Sequence, residues 1–186
     1  KEFEKKNYFL RLVVRKKKLG LDTAHKFAFD YAIKNNYSNL ITLDADLSHE
    51  PELIPKFVEK LRKNYFVIGS RYMDGGSCDM KGFRLFLSIY GNIFIKKMLK
   101  INSTEFTTSY RGFDRKVLEN LEKIKIKSTG YSFFMETIFQ INRSNIEIAQ
   151  IPIHFKDRIS GKSKIPKIEI FRTFFNVFRL KFFDQI

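Results

Sequence analysis

An α/β fold is predicted by three observations: short apolar runs alternate with stretches of helical periodicity, two carboxylates stand directly at the end of one such run, and no repeat or low-complexity linker divides the chain. With 186 residues and 22.1 kDa, the chain suits a single domain over residues 1–186. Its 44% hydrophobic content, including 21 Phe, supplies an interior and excludes a disordered polymer.

The first run, Phe9 to Val14, reads as a strand that leaves the sheet at the basic cluster Arg15–Lys18 and Gly20. A helix follows, capped by Asp22 or Thr23, with Ala24, Phe27, Ala28, Tyr31 and Ala32 on one face and Asn35-Asn36 at its end. Leu40 to Leu43 reads as a strand buried on both faces, and it runs straight into Asp44-Ala45-Asp46. Pro51 suits the first turn of a helix whose apolar face is Ile54, Phe57, Val58 and Leu61. Tyr65 to Gly69 is the next strand, opening into turn-rich Ser70 to Ser77. Phe83, Phe86, Leu87, Tyr90 and Phe94 then make a helical stripe, and Ser103 to Phe113 is polar and irregular. Val117 to Leu121 and Tyr131 to Asn142 read as helices. Ile146 to Phe155 is a strand whose alternation changes parity at Gln150 to Pro152, which predicts a bulge or a change of partner. An amphipathic C-terminal helix over 166–184 carries Phe171, Phe174, Phe175, Phe178 and Phe182 on one face and Arg172, Asn176 and Arg179 on the other. That pattern suits either a core stripe or a helix lying in a membrane interface.

Composition narrows the function classes. A single cysteine, Cys78, excludes an internal disulfide framework. The longest uncharged stretch, Leu85 to Ile95, is too short to span a bilayer. A net charge of +15 fits nucleic acid, anionic lipid or an anionic substrate, and equally a compositional bias toward Lys. No basic helix or exposed aromatic sheet favours nucleic acid, so none is expected as a partner.

In open α/β sheets ligands sit at the carboxyl ends of the strands, which is where Asp44 and Asp46 stand. Mg²⁺ or Mn²⁺ takes hard oxygen ligands and is commonly held by one or two carboxylates while a substrate's phosphates complete the shell. Two Asp residues one position apart equally suit a solvated turn. Arg71, Arg84, Arg158 and Lys164 offer phosphate-binding forks and a point charge, although each alone also suits a surface cation. The polar loop Asp157 to Lys164 suits a closing lid or an ordinary connection. The three histidines lack metal-ligand spacing, and Cys78 has no visible base.

The neighbourhood of these residues carries more. Asp44-Ala45-Asp46-Leu47-Ser48-His49-Glu50-Pro51, then Gly69-Ser70-Arg71-Tyr72 with Gly75-Gly76, resembles the family 2 glycosyltransferases, in the dolichol-phosphate (polyprenol-phosphate) mannose synthase branch. The resemblance extends upstream to Lys18-Leu19-Gly20-Leu21 and downstream to Thr107–Phe113, Gly130-Tyr131-Ser132-Phe133 with Glu136, and Ile151–Arg158 with Gly161–Lys164. It implies a GT-A fold, a nucleotide-sugar donor and transfer to a polyprenyl phosphate with inversion. It also implies Mg²⁺ or Mn²⁺ at Asp44 and Asp46, with Ser48 close by. Arg158 and Lys164 match donor-phosphate positions, while Arg71, Arg84 and Ser88 match positions for the acceptor's phosphate. Asp46 and Arg71 are the implied catalytic pair.

GDP-mannose is the donor favoured by Ser48-His49, with UDP-sugars as rivals, and the expected setting is peripheral, on the cytoplasmic face of a membrane. The family's opening Pro-x-Tyr-Asn-Glu and Asp-Asp-x-Ser-x-Asp segments have no counterpart here, so a fragment of a longer enzyme with an incomplete nucleoside pocket is expected. Asp22 and Phe134 depart from the family's usual Gly and polar residue. A non-catalytic basic module binding membranes or nucleic acid is the reading from a different class.

Overall fold

The computed structural model describes residues 10–157 and 167–183. It is α/β with a mixed sheet and a C-terminal helix, as predicted. The elements are α1 (Leu21–Lys34), β1 (Asn39–Thr42), a 3-10 turn (Pro51–Leu53), α2 (Ile54–Leu61), β2 (Phe66–Ser70), β3 (Ser77–Cys78), α3 (Gly82–Leu99), β4 (Arg111–Asp114), α4 (Arg115–Ile124), α5 (Tyr131–Arg143), β5 (Ile148–Pro152), β6 (His154–Phe155) and α6 (Lys167–Phe182).

The main sheet runs β1-β4-β2-β5. β4 is antiparallel to both neighbours, and β2 pairs β5 in parallel. Side chains alternate across it as the period of two demands. Phe66, Ile68, Phe113 and Ile148 face a large core with α1, α3, α4, α5 and α6. Val67, Ala149 and Ile151 face a smaller core closed by Phe57 and Leu61 of α2. The result is a three-layer sandwich. Burying each such side chain contributes about 1.5–3 kcal/mol.

The parity change near Gln150 is a change of partner. β5 ends at Pro152, and the chain switches at Ile153 to a small second sheet in which β6 pairs β3.

Five sequence expectations are corrected. Of the expected strand Phe9 to Val14, Phe9 lies outside the described residues, and Leu10 to Val14 is irregular and exposed rather than paired into the sheet. α1 starts at Leu21 with Gly20 at φ 100° as its cap; Thr23 Oγ1 donates to Gly20 O at 2.9 Å, and Asp22 is buried, accepting from Gly130 N at 3.3 Å. Its inward face is Phe29 and Ala32, whereas Phe27 is exposed, so the anticipated stripe is rotated. β1 is an edge strand of the described sheet and only partly buried. In α3 the inward residues are Asn92, Ile95 and Leu99, while Phe83, Phe86 and Tyr90 lie outside, Phe83 stacked on Phe86 at 6.3 Å and Phe86 tilted against Tyr90 at 4.2 Å.

β4 was not anticipated within Ser103–Phe113. Gly112 permits it: a Cβ there would meet Leu61 Cδ1 at 3.0 Å and Phe57 Cδ1 at 3.3 Å.

In α6 the core-facing residues are Val177 and Leu180, and Arg179 points inward to an ion pair with Glu136 rather than to solvent. Phe171 and Phe175 are 74% and 72% exposed. Among the described residues no helix is long and apolar enough to cross a membrane.

Candidate functional site

Antiparallel β4 is what assembles the site. Its N-terminal residue Arg111 pairs with Thr42 of β1 and Ile68 of β2, so the preceding loop 103–110 reaches the carboxyl ends of those two strands. Thr42 Oγ1 donates to Ser109 O at 2.6 Å and pins the two segments together.

The acidic turn follows β1. Asp44 Oδ1 accepts from Ser109 Oγ at 2.7 Å, and Asp46 Oδ1 accepts from Ser48 N at 3.1 Å and Ser48 Oγ at 2.5 Å. Leu47 adopts φ 64°, a region costly for a bulky residue, at the tip of this Asp-anchored turn. His49 lies buried beneath. Asp44 N donates to His49 Nδ1 at 3.0 Å, which places the ring proton on Nε2, toward Thr108 Oγ1 at 3.3 Å. Burial pushes His49 below its ordinary pKa, against the pull of Asp44, so the ring is a neutral strut. His25 is likewise lowered, to about 4, first by burial and then by Arg111.

The cationic side follows β2. Gly75, at φ 78°, and Gly76 fold the chain back over it: a Cβ on Gly76 would stand 2.6 Å from Ser70 O and 2.9 Å from Arg71 O. Arg71 is buried and paired with Glu105, Nε to Oε2 at 2.7 Å and Nη2 to Oε1 at 2.9 Å. Burial alone would lower the pKa of Arg71, but the charge and hydrogen bonds of Glu105 more than reverse this and keep the guanidinium ionised. Tyr72 OH donates to Ser88 Oγ at 2.7 Å, which links the turn to α3. Arg84 Nη1 stands 3.9 Å from Asp157 Oδ1, and among the described residues its buried Nε has no hydrogen-bond partner. Asn92 ties α3 to the loop, accepting from Phe106 N at 2.8 Å and donating to Ser88 O at 2.8 Å.

These residues share a cavity of about 760 Å³. Asp44, Asp46, His49, Arg71, Arg84, Ser88 and Thr107–Ser109 line its polar part; Leu87, Tyr90, Phe94, Ile95, Tyr131, Phe134 and Phe174 line an apolar wall between α3 and α6. Ser48 is buried behind the turn. Arg158 and Lys164, with most of the anticipated lid, lie outside the described residues. The donor set of Asp44 and Asp46 is all oxygen, hard, and at the polar end of the cavity, so it fits Mg²⁺ or Mn²⁺.

Sequence reasoning missed Glu105 and gave Thr107 and Ser109 no role of their own, although both lie in the Thr107–Phe113 stretch of the family resemblance. The cluster Ser103-Thr104-Glu105-Phe106-Thr107-Thr108-Ser109 was the available signal, a lone carboxylate among short hydroxyl side chains. It also missed Arg111, fully buried, whose Nε, Nη1 and Nη2 donate to the carbonyls of Thr108, Phe134 and Phe106 at 2.8, 2.9 and 3.0 Å. Burial lowers its pKa to about 9, against the pull of Glu105.

The chain is similar to known proteins. An undecaprenyl-phosphate mannosyltransferase of Micrococcus luteus is 34% identical over 152 residues, covering 81% of this chain and 63% of that protein. A polyprenol monophosphomannose synthase of Mycolicibacterium smegmatis is 31% identical over 165 residues, covering 88% of this chain and 62% of that protein. The chain thus spans under two thirds of the length of these relatives. Residues 1–122, which include the acidic turn, the Arg71 turn and the loop 103–110, match the family described as glycosyl transferase family 2. This chain belongs to that family.

Proposed function

We propose that the chain forms the catalytic part of a polyprenyl-phosphate mannosyltransferase, taking mannose from GDP-mannose with Mg²⁺ or Mn²⁺ at Asp44 and Asp46. One observation carries the reading: a single cavity joins a carboxylate-and-arginine end to an apolar wall between α3 and α6. That combination suits an anionic donor and an amphiphilic acceptor meeting in one place. The relatives' names supply the sugar and the class of acceptor.

The chemistry asks little of a general base. A phosphate monoester has its second pKa near 6, so at pH 7 the acceptor is mostly dianionic and already nucleophilic. An acceptor oxygen attacks the anomeric carbon of mannose, the bond from that carbon to the donor's β-phosphate oxygen breaks, and GDP leaves with the bonding electrons. Configuration inverts. Arg71 and Arg84, with Ser88, hold the acceptor's phosphate, while Asp44 and Asp46 hold the donor end. The divalent cation, when bound, supplies neutralisation of the charge that builds on the departing diphosphate.

The acceptor's chain leaves along the apolar wall, toward exposed aromatics on both flanking helices: Phe83, Phe86 and Tyr90 on α3, and Phe171, Phe174 and Phe175 on α6. We assign this face to a membrane surface, where the chain's net charge of +15 also favours anionic lipid. Flotation of the full-length protein with phosphatidylglycerol-containing vesicles tests both claims. Retention should rise when the vesicles carry a polyprenyl monophosphate rather than the corresponding alcohol, and fall at least about fivefold in Phe171→Asp/Phe175→Asp, where about 1 kcal/mol or more of interfacial burial is lost. Equal retention on both vesicles, and no change in the double variant, would contradict the reading.

A further inference from the structure

We propose that Glu105 is a positioning residue for Arg71: it holds the guanidinium so that only Nη1 is offered to the acceptor's phosphate. The inference rests on the transferase reading above.

A fully buried carboxylate directly behind the cavity's arginine is unexpected on charge alone in a site for two anionic substrates, since it opposes their attraction. Its geometry supplies a reason. Glu105 takes Arg71 Nε on Oε2 and Nη2 on Oε1, and Thr107 Oγ1 accepts a second bond from Nη2 at 2.9 Å. Of the five N–H donors of a guanidinium, three are thereby engaged. The two on Nη1 have no protein acceptor among the described residues, and Arg71 lines the cavity.

The carboxylate is itself immobilised. Oε1 accepts from Thr107 N at 2.9 Å, Thr107 Oγ1 at 2.9 Å and Phe106 N at 3.1 Å. The rings of Tyr72 and Phe155, 5.0 and 5.2 Å from Arg71 Cζ, flank the guanidinium plane. A loop 34 residues away in sequence thus sets the direction of one nitrogen.

This role has an unusual kinetic signature. In Glu105→Gln the amide would present a donor to at least one arginine nitrogen, so the fork is released while the cation loses its counter-charge. Anion attraction is kept or strengthened, whereas alignment for attack is lost. The expected result at saturating acceptor is a kcat lower by about 10-fold or more, with the Kd for farnesyl phosphate by calorimetry unchanged or tighter. A purely structural clamp predicts the reverse: kcat retained in the folded fraction, or Kd weakened along with stability.

If Glu105→Gln does not fold, Thr107→Val removes one acceptor of Nη2 and should give a smaller loss of kcat, again without weaker binding. Unchanged kcat in the folded variant, or a weaker Kd, overturns the proposal. Wild-type protein that binds no farnesyl phosphate and transfers no mannose would instead refute the transferase reading and remove the basis of this inference. Where wild-type protein does both, the behaviour of the variants bears on the role of Glu105 alone.

Discussion

Asp46→Asn is expected to lower mannosyl transfer by about 10²–10³-fold with little change in stability. Asn keeps the volume and one carbonyl oxygen, so the turn retains an acceptor for Ser48 N and Ser48 Oγ. What it loses is the negative charge at the polar end of the cavity, on which the divalent cation and the donor's diphosphate depend in this account. Initial rates at saturating donor, beside thermal melts of both proteins, separate the two effects. A variant that melts normally and transfers within threefold of wild type would remove Asp46 from the chemistry.

The largest expected loss of stability lies elsewhere, at Glu136. This α5 carboxylate is 1% exposed and accepts from Lys127 N at 3.0 Å, Ser128 N at 2.9 Å, Ser128 Oγ and Arg179 Nη2, the last at 2.6 Å. Burial would raise its pKa, but the Ser128 and Lys127 hydrogen bonds, with the charge of Arg179, more than reverse this. The carboxylate therefore fastens α6 to α5 and to the 127–128 segment in one place.

Removing one member of a buried ion pair strands the other, at about 3–5 kcal/mol. Glu136→Ala should accordingly cost about that much in urea unfolding and lower Tm by on the order of 10 °C. Because α6 carries Phe174, which lines the cavity's apolar wall, the surviving folded protein should also hold lipid acceptor more weakly. A loss below about 1 kcal/mol would mean that α6 is held by its apolar contacts, Val177, Leu180 and the rings packed on Phe94.

Much of this was legible in the sequence, for definite reasons. β2 is legible as Tyr65 to Gly69 because an apolar run there opens into the turn-rich stretch Ser70 to Ser77, and the parity break near Gln150 marks the switch from β5 to β6 because side-chain direction has a period of two. Asp44 and Asp46 stand out because they follow directly on a short apolar run, where strand gives way to charge, whereas Arg71 stands out only through the motif around it.

β4 was hidden because Arg111-Gly112-Phe113-Asp114 has neither an apolar run nor β-branched residues. It is a strand only because β1 and β2 flank it and three carbonyls satisfy Arg111, which is tertiary information. The aromatic stripe of α3 has the right period but faces outward, since periodicity gives the existence of a face and not its partner. Glu105 was invisible for a related reason: its partner lies in another element, and nothing local distinguishes it from a solvated loop carboxylate.

The most direct measurement is transfer of labelled mannose from GDP-mannose to a polyprenyl monophosphate by the full-length protein, with Mg²⁺ or Mn²⁺ and after chelation. The expected result is a lipid-linked product that requires both the acceptor's phosphate and the divalent cation. Product from a UDP-sugar in place of GDP-mannose would contradict the donor assignment, and no product from either donor, with either cation, would contradict the transferase itself.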